Sequence, residues 1–193
     1  MTPTLTALHD SPRQLWRNGG GVTRELLAWP DAQDWRLRIS VADIEADGPF
    51  STFPGAQRWF AVLLGGGIAL TVDGVEHVCH PSDDALQFSG AATAAARLLR
   101  GTSRDLNLML RELPGSMHRV VDGHFWKPRA RQCGLYAIAT GCCVTGDTSI
   151  NVPAESLMWF ASARDVLTFH AEAAMHTPVP GWWLAAGIAE PDA

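Results

Sequence analysis

The feature that most constrains this chain is a period of two. "VTRELLAW", "DWRLRISVADI", "RWFAVLL", "IALTV", "VEHVC" and "RDLNLMLRE" alternate or run apolar over strand length, the pattern of half-buried or buried strands and not of helices. Turn signals stand between them: Trp29-Pro30-Asp31, Asp47-Gly48-Pro49, Phe53-Pro54-Gly55 and Asp73-Gly74. The last joins two apolar runs through two residues that tolerate positive φ, which predicts a tight type I′ hairpin. Further strands are expected at "GLYAIAT", "CCVTG", "SLMWF", "VLTF" and "GWWLAAGIA". Helical character is confined to "SPRQLW" and, as an alternative to a strand with its approach loop, "AATAAARLL". Many short strands at regular spacing imply an all-β chain with little helix, folded as a sandwich or barrel of antiparallel sheet.

Composition narrows the function classes. A chain of 193 residues with 47% hydrophobic content suits one compact unit or two small, closely packed halves. A soft seam lies near Arg111, where Leu113-Pro114-Gly115 ends a strand. Charged residues make up 18%, the net charge is −5, and Lys127 is the only lysine. Nucleic acid and polybasic membrane contacts both need clustered cations, so neither is an expected partner. The basic chemistry rests on arginine, whose planar fork suits carboxylates. The N-terminus lacks the basic start and apolar stretch of a signal peptide. Runs such as "WFAVLLGGGIAL" are too short and glycine-rich to span a bilayer. The four cysteines, Cys79, Cys133, Cys142 and Cys143, show no C-x-x-C spacing. Cys142 and Cys143 fall on opposite faces of a strand, so reduced thiols in a cytoplasmic protein are expected.

Asn18-Gly19-Gly20-Gly21 raises the question of a phosphate loop. A Walker loop needs Lys-Ser or Lys-Thr after its last glycine, but Val22-Thr23 follows here. The dinucleotide fingerprint needs a strand before and a helix after, and this stretch has the reverse order. The remaining readings are a backbone anion nest or glycines that let the chain enter a sheet at positive φ and pass close to its neighbour.

Alternation also creates a polar face. In "WRLRISVA", Trp35, Leu37, Ile39 and Val41 fall on one side, and Arg36, Arg38, Ser40 and Ala42 on the other. Thr23 and Glu25 share a face of "VTREL", and Asp105, Asn107, Met109 and Arg111 share one of "RDLNLMLRE". Small, amide and thioether side chains with sparing arginine suit a lined pocket better than a solvated face. Arg38 and Glu25 could equally pair as an internal ion pair with no ligand. Trp16, beside Arg17 and Asn18, is placed at the site edge. Glu76, His77, Cys79 and His80 in "EHVCH", and His118 with His124, are read as surface or singly bonded groups. No Ser-His-Asp order, G-x-S-x-G elbow or paired carboxylates appear, and "SDDAL" reads as a turn. No catalytic residue, metal site or cofactor is therefore assigned.

"WRNGGGVTRE", "RLRISVADI", "DGPFSTFPGAQRWFAVLLGG" and "RDLNLMLR" resemble, in order, the signature segments of the HutD/Ves family of the cupin superfamily. The resemblance runs from Trp16 to about Arg111 and continues more loosely beyond. It implies a bicupin of two packed antiparallel β-barrels, with boundaries near 1–110 and 111–193. It implies a link to histidine utilisation through sensing or binding an intermediate, and it brings no assigned catalytic activity. It also implies that Asn18, Thr23, Glu25, Arg38, Ser40, Asn107 and Met109 gather at one pocket. Metal-dependent cupins carry a His-x-His where this chain reads "FSTF", Phe50 to Phe53, so a bound metal is not expected.

The leading reading is a regulator or sensor that binds a small organic acid, such as urocanate or formylglutamate. Arg38 would hold a carboxylate, with Ser40, Thr23 and Asn107 beside it and Glu25 accepting from an N–H. The alternative is a metal-independent isomerase, lyase or hydrolase with Glu25 as general acid or base. A weaker third option is a module that binds another protein through its sheet surface. Beyond the acid, a second copy of the chain is left open as a homodimer partner.

Overall fold

The computed structural model of the chain describes residues 2–162, 166–172 and 179–187. Helix among them amounts to one 3-10 turn, Leu8–Asp10. The strands in chain order are β1 (Thr4–Ala7), β2 (Arg13–Leu15), β3 (Gly21–Trp29), β4 (Leu37–Ile44), β5 (Gly48–Pro49), β6 (Ala56–Gly65) and β7 (Ile68–Val72). There follow β8 (Val75–Cys79), β9 (Leu86–Ser89), β10 (Ala94–Leu98), β11 (Ser103–Arg111), β12 (Gly115–Arg119) and β13 (Phe125–Trp126). The last are β14 (Gln132–Ala137), β15 (Gly141–Thr145), β16 (Thr148–Val152), β17 (Ser156–Phe160), β18 (Leu167–Ala171) and β19 (Gly181–Ala186). The expected strand "GWWLAAGIA" is β19 as far as Ala186, while Ile188 and Ala189 lie outside the described residues. No described helix is long and apolar enough to cross a membrane.

Two compact units divide the chain: Ser11–Glu112, and a second that joins the segment up to Asp10 with residues from Leu113 onward. A division at residue 110 assigns Thr4–Ala7 to the first barrel; β1 instead pairs with β17, Leu5 opposite Met158. Each unit holds two antiparallel sheets. The Ser11–Glu112 unit has a six-stranded sheet, β2-β3-β4-β11-β6-β9, and a four-stranded one, β5-β10-β7-β8. The second unit has β1-β17-β14-β19-β12 and β13-β18-β15-β16.

Local chemistry explains most of these elements. Asp73 and Gly74 adopt φ of 46° and 84° and join Val72 to Val75, the two-residue I′ connection that Asp-Gly favours. "SPRQLW" is a correction: Arg13–Leu15 is strand β2, with Gln14 opposite Thr23. So short a segment does not recover the cost of helix nucleation, whereas the edge of β3 satisfies its backbone groups. "AATAAARLL" resolves as a strand too, its Ala94 and Ala96 buried and Ala95 exposed.

Register fixes which residues look inward. Ser40 lies opposite Asn107 on β11 and Glu25 on β3, Arg38 opposite Met109, and Ala42 opposite Asp105 and Thr23. On β6, Arg58, Phe60 and Val62 continue the same row. The other face presents Leu37, Ile39, Val41, Leu106, Leu108 and Leu110, all buried. Trp35 departs from the expected alternation: it precedes β4 and clusters with Ala56, Met109 and Phe53 on the inner side. Between the two sheets, Phe60, Val62 and Ile44 pack on Ile68, Leu70, Ala94 and Ala96.

The second unit uses its inner face differently. Cys133, Leu135, Met158, Phe160, Trp183 and Ala185 meet Cys143, Leu167 and Phe169 in an apolar core, and Trp126 stacks on Trp183 at 5.0 Å. Its barrel interior is filled with hydrocarbon, so the polar interior belongs to the Ser11–Glu112 unit.

Candidate functional site

A cavity of about 570 Å³ lies within the Ser11–Glu112 unit, a volume in the range of small-molecule sites. Strand β4 supplies Arg38, Ser40 and Ala42, strand β11 supplies Asn107 and Met109, and β6 supplies Arg58. Two further walls complete it: Gln14 to Asn18, running from β2 into the glycine turn, and Pro49, Phe50, Ser51 and Phe53, running on from β5. Of the residues singled out from sequence, Trp16, Asn18, Thr23, Arg38, Ser40, Asn107 and Met109 line this cavity. Glu25 does not line it but reaches Arg38 from the neighbouring strand.

The glycine stretch builds the first wall. The Trp16 N–H bonds the Gly21 carbonyl at 3.0 Å, and the Gly19 N–H bonds the Trp16 carbonyl at 3.0 Å. The Gly20 N–H donates to Asn18 Oδ1 at 3.1 Å. These amides are spent on internal acceptors, so no anion nest forms at Gly19 and Gly20. Gly19 has φ of 71°, which turns the chain. Gly21 lets two backbones close up, since a Cβ there would sit 2.5 Å from the Asp43 carbonyl oxygen and 3.2 Å from the Trp16 ring. Trp16 is fixed by this packing, by its indole N–H donating to Thr23 Oγ1 at 2.8 Å, and by a T-shaped contact with Phe50 at 6.0 Å.

Besides the exposed Arg17 at the first wall, two guanidinium groups from the sheet line the cavity, and their environments differ. Arg38 donates from Nε to Glu25 Oε2 at 2.7 Å, a pair largely shielded from solvent. Its Nη1 and Nη2 carry no protein hydrogen bond among the described residues. Arg58 is buried and has no carboxylate partner among the described residues. Its Nε and Nη2 both donate to the amide oxygen of Asn107, at 2.8 and 2.6 Å. Its guanidinium carbon lies 4.8 Å from the centre of the Phe50 ring and 5.3 Å from that of Phe88. Burial is the main cause that lowers its pKa to about 10, opposed by Asp105 and reinforced by the positive charge of Arg38. A cation has therefore been desolvated against aromatic rings and a neutral amide, which leaves its charge uncompensated by direct contact.

Arg58 escaped the sequence reading. Its signal was present: one charged residue in the otherwise apolar "RWFAVLL", in phase with Phe60. Gln14 was hidden by reading "SPRQLW" as helical, and Phe50 and Phe53 lie in a loop whose direction no periodicity reveals. Among the described residues, no three His, Cys, Asp or Glu side chains gather to hold a metal ion. Cys142 and Cys143 do take opposite faces, Cys143 in the core and Cys142 beside Ser149 Oγ at 2.7 Å.

The fold that carries this cavity has counterparts among solved structures. A conserved protein of Pseudomonas aeruginosa PAO1 superposes with a TM-score of 0.85 at 26% identity, covering 98% of this chain and 100% of that one. HutD from Pseudomonas fluorescens SBW25 superposes at 0.81 with 22% identity over 98% and 100%, a likeness of fold. More distant neighbours at 9% identity show the fold to be of the cupin type. In sequence, Protein Ves of Citrobacter koseri is 40% identical over 145 residues, 72% of this chain and 74% of the relative. A 21.2 kDa protein of the hutC 3′ region in Pseudomonas putida is 44% identical over 109 residues. That match spans 54% of this chain and 56% of the relative, little more than half its length. A family model matches residues 8–181, across both units, and the chain belongs to the HutD family.

Proposed function

We propose that this protein binds a small organic acid in the cavity of the Ser11–Glu112 unit and acts as a sensor in histidine utilisation. The observation that carries the reading is Arg58: a buried cation on the cavity wall, held by a neutral amide and, among the described residues, by no carboxylate. A ligand carboxylate supplies the missing charge, and bonds of this type contribute about 1.5–3 kcal/mol each. Arg38 adds its outer donors. Ser40, Thr23 and Asn107 provide the few polar groups that orient a ligand, and Trp16, Phe50, Phe53 and Met109 the apolar wall. The names of two similar proteins, one from a hutC region and one HutD, support choosing the acids of histidine breakdown as candidates.

Thermal denaturation tests the reading. Urocanate or formylglutamate raises the Tm of the wild-type protein, and the shift disappears in Arg58→Met and falls in Arg38→Ala. No shift with any of these acids at millimolar concentration sinks the proposal.

A further inference from the structure

Below the cavity, the same inner row carries a carboxyl group. Asp105 lies one inward step from Asn107 on β11, opposite Ala42 on β4 and Val62 on β6. It is fully buried. Its Oδ1 accepts one hydrogen bond, from Ser103 Oγ at 3.0 Å, and its buried Oδ2 has no hydrogen-bond partner among the described residues. A buried carboxylate normally collects donors at both oxygens. Here the row above it ends in Asn107 with Arg58, a cation whose hydrogen bonds go to the amide. Among the described residues the barrel interior thus holds one cation with no carboxylate in contact and one carboxyl with half its bonding unmet, four residues apart along the sheet, since Arg58 lies opposite Met109 and Asp105 opposite Val62.

We propose that the cavity takes up its anion together with one proton, and that the proton resides on Asp105. This rests on the binding reading above. Before binding, wherever Asp105 is ionised, its charge is the carboxylate charge that acts on Arg58. A ligand carboxylate replaces it, and two anions sharing one buried cation repel. Protonating Asp105 removes that repulsion: protein with ionised Asp105, anion and one proton give a complex with neutral Asp105, and the charges balance. The carboxylic acid form also needs fewer donors, which suits its surroundings.

The groups acting on Asp105 come from every side. Arg58 on β6 favours its ionised form. Asp43 on β4, itself paired with Arg104 at 2.6 Å, opposes it. Cys79 on β8 lies within its field, with a thiol raised to about 11, chiefly by burial. Ser103 donates from β11, and the facing residues Ile68, Leu70, Ala94 and Ala96 bring no charge. Burial dominates and raises the carboxyl to about 8. The sign follows: below about pH 8 the free protein already holds the proton, so binding takes up little. Above it the proton must be acquired, and affinity falls up to about tenfold per pH unit.

Isothermal titration with formylglutamate, whose own carboxylates stay ionised in this range, reads the proton directly. The observed heat is compared in buffers of different ionisation enthalpy. Wild-type protein takes up about one proton per ligand at about pH 9 and almost none at about pH 6, while Asp105→Asn binds without uptake at either. A carbon-13 titration of the Asp105 carboxyl in unliganded wild-type protein supplies a measurement that needs no variant. Binding without proton uptake at about pH 9, uptake that persists in Asp105→Asn, or a carboxyl midpoint near the ordinary value of about 4 each overturns the proposal alone. No binding heat with either formylglutamate or urocanate overturns the binding reading, and the proposal with it.

Discussion

Replacing Arg58 by Met should make the protein more stable while abolishing its ligand response. The guanidinium pKa falls from 12.5 to about 10 because the group is buried. At neutral pH that difference represents about 3 kcal/mol against the charged form. Met removes the charge and keeps an apolar stem against Phe50 and Phe88. Two losses oppose the gain. The Asn107 oxygen gives up its two donors, but it lines the cavity, where water replaces them at a cost of ~1 kcal/mol. The cation–π contacts add a further loss of ~0.5–1 kcal/mol. The net expectation is about 1 kcal/mol of added stability, and a rise in Tm of roughly 2–4 °C for a chain of this length. Circular dichroism melts with and without urocanate read both effects. A Tm that drops by more than about 4 °C, with the ligand shift retained, shows that Arg58 is a structural cation and refutes the reasoning.

Gly21→Ala tests the close approach behind the Trp16 wall. Its Cβ meets a ladder carbonyl at 2.5 Å that cannot retreat without loss of β3–β4 pairing, so a destabilisation of about 1–3 kcal/mol is expected in a denaturant melt. Gly20→Ala, whose Cβ approaches only to 3.4 Å of Asn18 Oδ1, should cost less than about 1 kcal/mol in the same melt. Glu25→Gln removes the carboxylate that engages Arg38 at 2.7 Å, so acid ligands should bind more tightly, as titration calorimetry will report. Turnover of the same acids that is lost in this variant would instead support the enzymatic alternative.

Much of this architecture was legible before any coordinates. The long strands β4, β6 and β11 carry apolar residues at every second position, and burying one face of a sheet enforces that period. The Asp73-Gly74 turn was equally plain, because positive φ at two successive positions admits few residue pairs. Short edge strands were harder. Segment β2 is exposed throughout, and β9 and β16 turn only two residues each inward, Leu86 with Phe88 and Ile150 with Val152, a run too short to establish a period.

The polar faces of β3, β4 and β11 were also readable, since register follows from the period within each strand. Strand period does not say which strands adjoin. Only the pairing of β11 with β6 placed Arg58 beside Asn107 and set Asp105 below them. Nor could sequence tell whether Arg38 bonds Glu25 or a ligand, because both outcomes use the same residues on the same faces. That choice depends on the distance across β3 and β4, set at 2.7 Å by tertiary packing. Sequence alone thus determined the β class, the turn at Asp73-Gly74 and the polarity of single faces, all consequences of local period and φ preference. The tertiary structure decided the neighbours of each buried charge, because electrostatic energy in a protein interior depends on the distances between residues remote in the chain.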